Sequence, residues 1–214
     1  IEMNCKSVIT IARQFGSGGR EIGKALAQKL GIKFYDKELI SLAAKKSGVN
    51  PEIFENVDER ATNSLLYSLS MGIYNFGAGG YAPIRDLPVN DQLYLLQHKI
   101  IKELACEPCV VVGRCADYVL KDNKNVINIF IHAPLAHRIE RAVSVHNVPR
   151  EKAEAAVKKT DKTRANYYNY YSNLKWGAVE NYDLCINSGN IISQQAVDAI
   201  AAYVAVREGN SEHV

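Results

Sequence analysis

A glycine-rich loop near the start of the chain carries the residue types that bind phosphate. It follows the apolar run 8–12 and precedes the pattern 21–30, in which Ile22, Leu26 and Leu30 share one helical face. Glycines permit backbone conformations closed to other residues, so successive N–H groups can turn inward on an anion, and the helix adds its positive N-terminal end. The predicted phosphate-binding residues are Arg13, Gly16, Ser17, Gly18, Gly19, Arg20 and Glu21.

The loop departs from the usual phosphate-loop pattern G-x-x-x-x-G-K-[ST]. It has Arg13 in place of the first glycine, Gly19 in place of the lysine, and Arg20 in place of the magnesium-binding hydroxyl residue. If the loop supports catalysis, another cation must supply the charge of the missing lysine. We predict Arg20 in this role, helped by Arg13, because Arg20 opens the helix beside the phosphate site and stays charged at every working pH.

Two further polar residues follow predicted strands. Parallel α/β sheets bind ligands at the carboxyl ends of their strands. Arg114 comes just after the apolar run 109–112, where a guanidinium can bind phosphate in a bidentate manner, unless it is a surface arginine with a local partner. Asp36 follows Phe34 and Tyr35, and it either contributes to the same site or caps a helix beginning at Lys37.

Charged side chains also recur on two predicted helices. Arg138 and Arg141 are three residues apart on one helix, and Asp161 and Arg164 are three apart on the next. Each pair therefore shares a helical face, which from its spacing alone is typical of a solvated surface with weak ion pairs.

Aromatic residues and histidines give weaker signals. The aromatic run 167–171, with Trp176, could stack on a base, but it lacks a dense basic surround and is more typical of a packing surface. The five histidines (98, 132, 137, 146 and 213) show no metal-site spacing, so the sequence assigns no metal ligand.

Composition limits the function classes. The 214 residues suffice for one α/β domain, 47% are hydrophobic and 23% are charged. The net charge of +3 does not indicate a nucleic-acid partner, and no apolar run has the length of a membrane span. Five cysteines without a secretion signal favour reduced thiols in a cytoplasmic protein, and the C-x-x-C at 106–109 closes a helix, which favours a structural role.

The pattern of elements predicts an α/β fold. Strands are expected at 7–12, 32–35, 109–112, 126–131 and 183–187, with helices at 21–30, 37–46, 91–104, 134–146, 150–171 and 194–206. Their alternation predicts a mainly parallel sheet covered on both faces. We expect a single domain over residues 1–214, with an insertion at about 55–90 and a helical arm at about 135–175. Within the insertion, Gly77–Gly80 is either a solvent loop or a mobile flap over the acceptor.

The stretch Ile9–Asp36 resembles the cytidylate kinase-like family of P-loop kinases, whose loop reads G-S-G-G-R-E-I-G. Further similarity lies at 110–114, at 129–134 leading to Arg138 and Arg141, and at 161–168. The resemblance implies a three-layer P-loop kinase fold. It has a five-stranded parallel sheet in the order 2-3-1-4-5, an acceptor region and an arginine-bearing helical lid.

The resemblance also implies roles. The loop would bind the phosphates of ATP with Mg²⁺, for which Ser17, Glu21 or water would replace the missing hydroxyl. Arg114 and Asp36 would bind the acceptor, with CMP or dCMP favoured; the family motif G-R-D reads Gly-Arg-Cys here. The lid would close with the catalytic residues Arg138, Arg141, Arg164 and Asp161.

Two alternatives remain open at this point, a kinase of another small metabolite and an inactive nucleotide-binding sensor. The expected partners are a nucleotide donor and a small-molecule acceptor, with neither nucleic acid nor membrane. The sequence leaves the oligomeric state open.

Overall fold

The computed structural model describes residues 5–36 and 89–209. Five parallel strands form one sheet in the spatial order β2-β3-β1-β4-β5, which confirms the predicted order. Central β1 pairs in register with β3 and β4, so that Ile9 lies between Val110 and Ile127. The strands are β1 (Val8–Arg13), β2 (Lys33–Tyr35), β3 (Cys109–Val112), β4 (Val126–His132) and β5 (Leu184–Asn187).

The helices of the described part follow the predicted pattern, with ends shifted by at most two residues. A short helix, α3, was not predicted. The predicted helix 37–46, the Gly77–Gly80 stretch and the insertion up to residue 88 lie outside the described residues. The helices are α1 (Gly19–Leu30), α2 (Val89–Leu104), α3 (Ala116–Val119), α4 (Leu135–Ser144), α5 (Arg150–Ser172) and α6 (Ser193–Arg207).

The sheet is buried on both faces, which explains why its central strands are continuous apolar runs. On one face, side chains such as Ile11 and Ile129 pack against α1 and α6. On the other face, Val111 packs against residues of α2 and α3, including Ile101. The result is the three-layer α/β architecture expected from the alternation of strands and helices.

The helices α4 and α5 form an arm with a small core of its own. Ala142, Ala153 and Val157 are fully buried there, and Phe15 from the glycine-rich loop packs against this core. The arm therefore contacts the loop directly. In the described part of the chain, none of the helices combines the length and apolarity needed to cross a bilayer.

At the edge of the sheet where the strands begin, the carboxylate of Glu208 joins the beginning of β1 to the end of α6. Glu208 Oε1 accepts hydrogen bonds from the N–H groups of Lys6 and Ser7, both at 2.8 Å, and from Ser7 Oγ at 2.6 Å. These contacts hold the chain in place where it enters β1, at the end of that strand that lies away from the glycine-rich loop.

Candidate active site

The glycine-rich loop leaves β1 at its carboxyl end and turns directly into α1. Gly16 and Gly18 both have a φ of +78°, in the left-handed region that favours glycine. A Cβ atom at Gly16 would also lie 2.5 Å from the carbonyl oxygen of Arg138, so the close approach excludes any side chain there. The first N–H groups of α1 have no intrahelical acceptor, which makes the turn a site for an anion.

Asp161 fastens this loop to the arm. Its Oδ1 accepts a hydrogen bond from the N–H of Phe15 at 2.7 Å, and its Oδ2 accepts one from Nη1 of Arg138. Arg138 also donates from Nε to the carbonyl oxygen of Ala133 at 2.9 Å. The Arg138 and Asp161 side chains are only 10% and 15% exposed. In this structure both residues contact the protein backbone around the loop, and they contact each other.

Arg141 lies over the loop itself. Its Nη2 would be 3.4 Å from a Cβ atom at Gly18 and is 3.6 Å from a carboxylate oxygen of Glu21. Its Nε is buried and has no hydrogen-bond partner among the described residues. A buried unsatisfied donor costs about 1–3 kcal/mol, and an anion held in the loop would give this N–H group an acceptor.

A groove of about 280 Å³ opens between the loop and the connection from β5 to α6. The Ser188 hydroxyl donates to the carbonyl oxygen of Ser17 at 2.7 Å and so ties the two walls together. Sequence reasoning missed this wall, although Ser188 directly follows β5 at the ligand-binding edge of the sheet. The groove is lined by Ser17, His137, Arg141, Ser188, Ile191, Ile192 and Ser193.

A second cavity lies at the carboxyl ends of β1 and β3. It brings together the predicted residues Arg13, Arg114 and Arg164, with Tyr167 and Asp117 also in its wall. The Arg114 guanidinium carbon is 5.7 Å from the centre of the Tyr167 ring. Arg164 Nη1 donates to the carbonyl oxygen of Arg13 at 3.1 Å, which joins α5 to the start of the loop.

The backbone that presents Arg114 is strained. Gly113, Arg114 and Cys115 have φ values of +82°, +57° and +53° in succession. A residue other than glycine pays about 1–2 kcal/mol in this region, and such outliers cluster at functional sites. The turn directs the chain out of β3 and into α3 at the edge of the second cavity.

Asp117 is a cavity residue that sequence reasoning missed. It is buried and accepts a hydrogen bond from the Tyr168 hydroxyl at 2.7 Å. Burial raises the pKa of its carboxyl group, with the Tyr168 hydrogen bond opposing the shift. The only sequence signal was an acidic residue within the apolar stretch 115–120. The cavity therefore has a carboxylate three residues after Arg114, although the Gly-Arg-Cys motif lacks one.

Arg20 and Asp36, predicted for different parts of the site, contact each other. Arg20 donates from Nε and Nη2 to one Asp36 oxygen, at 2.8 and 2.7 Å. The Asp36 side chain is buried, whereas that of Arg20 is 56% exposed. In this structure the charge of Arg20 is matched by a carboxylate at the end of β2.

The tyrosine run 167–171 packs α5 against α2. Tyr171 stacks on Tyr94 with ring centres 3.9 Å apart, and its hydroxyl donates to Asp91 at 2.9 Å. Only Tyr167 and Tyr168 of this run line the second cavity. The packing interpretation of the run therefore fits the structure.

Solved structures of low sequence identity share this fold. Shikimate kinase from Acinetobacter baumannii is 16% identical, with 98% of this chain and 97% of that chain covered and a TM-score of 0.53. A gluconokinase from Sinorhizobium meliloti 1021 is 15% identical, covers 98% of this chain and 99% of its own, and has a TM-score of 0.54. The parallel sheet, its strand order and the loop after β1 thus define a P-loop kinase fold.

Proteins of higher sequence identity indicate the family within this fold. A cytidylate kinase of Methanosarcina barkeri is 28% identical over 195 residues, which cover 90% of this chain and 93% of that protein. The structure of an uncharacterized protein from Eubacterium ventriosum is 29% identical, with 93% and 98% of the chains covered and a TM-score of 0.69. Residues 8–190 match the profile of the cytidylate kinase-like family, and the chain belongs to that family. Family and fold together support a kinase of nucleotides or small metabolites.

Proposed function

We propose that this protein transfers the terminal phosphoryl group of ATP to a nucleoside monophosphate, with CMP or dCMP favoured. The observation that carries the proposal is that the loop contributes to two separate cavities, each of which also contains arginine. Ser17 lines the groove with Arg141, and Arg13 lines the second cavity with Arg114. Phosphoryl transfer needs two substrates held on either side of the moving group, with cations around it.

The groove would take the donor. Its apolar wall at Ile191 and Ile192 suits a base, and the loop with Arg141 suits the phosphates. Among the described residues no cluster of three or more His, Cys, Asp or Glu forms a metal cage. Mg²⁺ is usually held by substrate phosphates, water and one or two carboxylates. Glu21, in the first turn of α1, fits as such a carboxylate, and Mg²⁺ would neutralise charge on the donor oxygens.

The second cavity would take the acceptor. Arg114 and Arg164 supply guanidinium groups, and the carboxylate of Asp117 is engaged by Tyr168. In the described wall of this cavity arginines outnumber carboxylates, which suits an acceptor with a phosphate of its own better than a neutral one. Arg164 also contacts the start of the loop, so it can act on both the acceptor and the transferred group.

Arg20 remains our proposed substitute for the lysine of the usual loop. In that role its guanidinium must exchange the Asp36 carboxylate for a donor phosphate oxygen. Turnover of Arg20→Ala should fall by on the order of a hundredfold, comparable to the loss of one preorganised donor. Unchanged turnover would remove Arg20 from the mechanism.

A second candidate function, phosphorylation of a different small metabolite, is favoured by one observation. Cys115 stands where the motif of cytidylate kinases has aspartate, and it is buried in a strained turn. This difference lies beside Arg114, at the cavity that would select the acceptor. The loop also lacks the usual lysine. For that reason an inactive nucleotide-binding sensor, which is not an enzyme, stays as a third candidate.

A coupled assay of ADP release with Mg-ATP separates these functions. We expect release with CMP or dCMP in a panel that also contains UMP, AMP, GMP, shikimate and gluconate. Release with a non-nucleotide alone would establish the second candidate, and binding of ATP and CMP without turnover would establish the sensor.

Two arginine variants and one control test the assignment of the second cavity. Arg114→Ala should mainly raise the KM for the acceptor, whereas Arg164→Ala should mainly lower kcat, since charge develops in the transition state. The matched control is Arg150→Ala, because Arg150 forms an exposed ion pair with Glu140 outside both cavities. Effects of Arg114→Ala and Arg164→Ala no larger than those of the control would contradict the assignment.

A further inference from the structure

We infer that Tyr167 is a positioning residue of the acceptor side: its hydroxyl holds the Arg114 guanidinium in the direction that meets the acceptor's phosphate, and Gln97 holds the hydroxyl. The inference rests on the proposed function and deepens it, because it adds two residues that act through Arg114. It also gives a role to one member of the tyrosine run 167–171, whose other contacts pack α5 against α2.

The ring of Tyr167 is held between two other tyrosines. Tyr94 of α2 meets it at a steep angle with ring centres 6.4 Å apart, and Tyr171 of α5 does so with ring centres 4.8 Å apart. Such edge-to-face pairs are a favourable arrangement of aromatic rings. The place of Tyr167 in the wall of the second cavity is therefore set by the packing of α2 against α5.

The hydroxyl of Tyr167 lies between a side chain that can only donate and one that accepts. A guanidinium has no acceptor, so in the hydrogen bond between Arg114 and Tyr167 the phenolic oxygen accepts. The hydroxyl hydrogen is then directed to Oε1 of Gln97, at 3.3 Å. Burial raises the pKa of Tyr167 by more than the charge of Arg114 lowers it, so the hydroxyl keeps the proton that it donates.

The polar side chain of Gln97 has a cost in its place on α2. Gln97 is only 2% exposed, and its Nε2 has no hydrogen-bond partner among the described residues. A buried donor without an acceptor lowers stability, and an apolar side chain of similar size would avoid that loss. The contact of its oxygen with Tyr167 gives a physical reason for a glutamine at this position.

Arg114 is thereby held at both ends. Its backbone lies in the strained turn after β3, with a φ of +57°. Its guanidinium carbon lies 5.7 Å from the centre of the Tyr167 ring, within the range of a cation–π contact. The ring and the hydroxyl are both neutral, so they fix the direction of the guanidinium without cancelling its charge. An arginine that is already oriented loses less conformational freedom when it binds a phosphate.

The first experiment compares Tyr167→Phe with Tyr171→Phe in steady-state assays with CMP and ATP. Each change removes a hydroxyl that donates from α5 to α2, where Gln97 or Asp91 accepts. Tyr167→Phe should raise the KM for CMP about tenfold, as expected for a lost hydrogen bond, and change the KM for ATP less than about twofold.

The control distinguishes positioning from a merely structural role. Tyr171→Phe should leave both KM values within about twofold of the wild type, because Tyr171 does not line the second cavity. A structural role would give the opposite order of effects, since the hydroxyl of Tyr171 binds a carboxylate and its loss should destabilise the protein more. Equal KM values for CMP in the two variants would overturn the inference.

Double variants show whether Tyr167 acts through Arg114. In a chain that carries Arg114→Ala, Tyr167→Phe should lower kcat/KM for CMP by less than about a further twofold. A tenfold loss that persists there would mean that the hydroxyl contacts the acceptor itself, and it would overturn the positioning role. Gln97→Met removes the acceptor oxygen and keeps the length of the side chain. It should raise the KM for CMP about threefold in the wild type but not in Tyr167→Phe, and equal rises in both would overturn the role of Gln97.

A measurement without substrate separates failure of this inference from failure of the proposed function. Nitrogen-15 relaxation of the Arg114 Nε–H group, assigned as the signal that Arg114→Lys removes, reports the rigidity of this side chain on the picosecond to nanosecond timescale. Its order parameter should fall in Tyr167→Phe and stay unchanged in Tyr171→Phe. An unchanged order parameter in Tyr167→Phe would overturn the inference even if CMP is a substrate. A lower value, in a protein that phosphorylates no nucleoside monophosphate, would support the positioning of Arg114 and refute the proposed function.

Discussion

Removal of the Asp161 carboxylate should destabilise the protein and loosen its glycine-rich loop. In Asp161→Ala the N–H of Phe15 loses its acceptor, and Arg138 loses the carboxylate that matches its charge. Both side chains of the ion pair are at least 85% buried, so water cannot readily replace the lost partner. The change thus removes a carboxylate that joins the loop backbone to the arm.

The magnitude follows from these contacts. Breaking a buried ion pair from one side usually costs about 3–5 kcal/mol, because an uncompensated charge is left behind. Arg138 keeps the carbonyl oxygens of Ala133 and Phe15 as acceptors, which reduces the loss, whereas the orphaned N–H of Phe15 adds to it. We therefore expect the free energy of unfolding to fall by about 3 kcal/mol.

Urea unfolding of the wild type and the variant measures this difference. The matched control is Glu154→Ala, which breaks an exposed i,i+4 pair with Lys158 on the same helix and should cost less than about 0.5 kcal/mol. The reasoning is refuted if the free energy of unfolding falls in Asp161→Ala by an amount within about 1 kcal/mol of its fall in the control. The buried pair would then contribute no more than a surface ion pair.

Three other perturbations have defined outcomes. Gly16→Ala should destabilise the protein more than Gly31→Ala in urea unfolding, because both positions have positive φ but only the first places Cβ against a backbone oxygen, and equal losses would contradict this. Iodoacetamide at about pH 8 should label exposed Cys106 and spare Cys109, since burial hides that thiol and raises its pKa to about 12; peptide mass spectrometry that finds both labelled equally would contradict the packing. Burial also raises the pKa of Asp117, so the folded state binds the proton more tightly than the unfolded one. The free energy of unfolding of the wild type, relative to that of Asp117→Asn, should then fall as the pH rises above 3.8, the ordinary pKa of an aspartate. A difference between the two proteins that stays constant from about pH 4 to pH 8 would refute this expectation.

The sheet was predictable because its signals are local. The runs at 109–112 and 126–131 are apolar throughout, as central parallel strands are when both faces are covered. The loop after β1 was predictable for the same reason, since glycine spacing and a following helix stand together in the sequence. By contrast, α3 has only four residues, too few to show a helical period.

The site was less predictable because its contacts join distant residues. Asp117 and Tyr168 are 51 positions apart, and nothing in either neighbourhood indicates the other. Arg20 and Asp36 were each selected, but their ion pair depends on how α1 lies against the end of β2.

The contact of Glu208 with Lys6 and Ser7 has a consequence for rearranging the chain. It brings the start of β1 and the end of α6 together at the amino-terminal edge of the sheet, whereas both cavities open at the carboxyl-terminal edge. A linker between these two regions would span a short distance and pass far from either ligand. A circular permutant closed there and opened in the exposed turn around residue 122 should keep the order of the strands in space while changing their order along the gene.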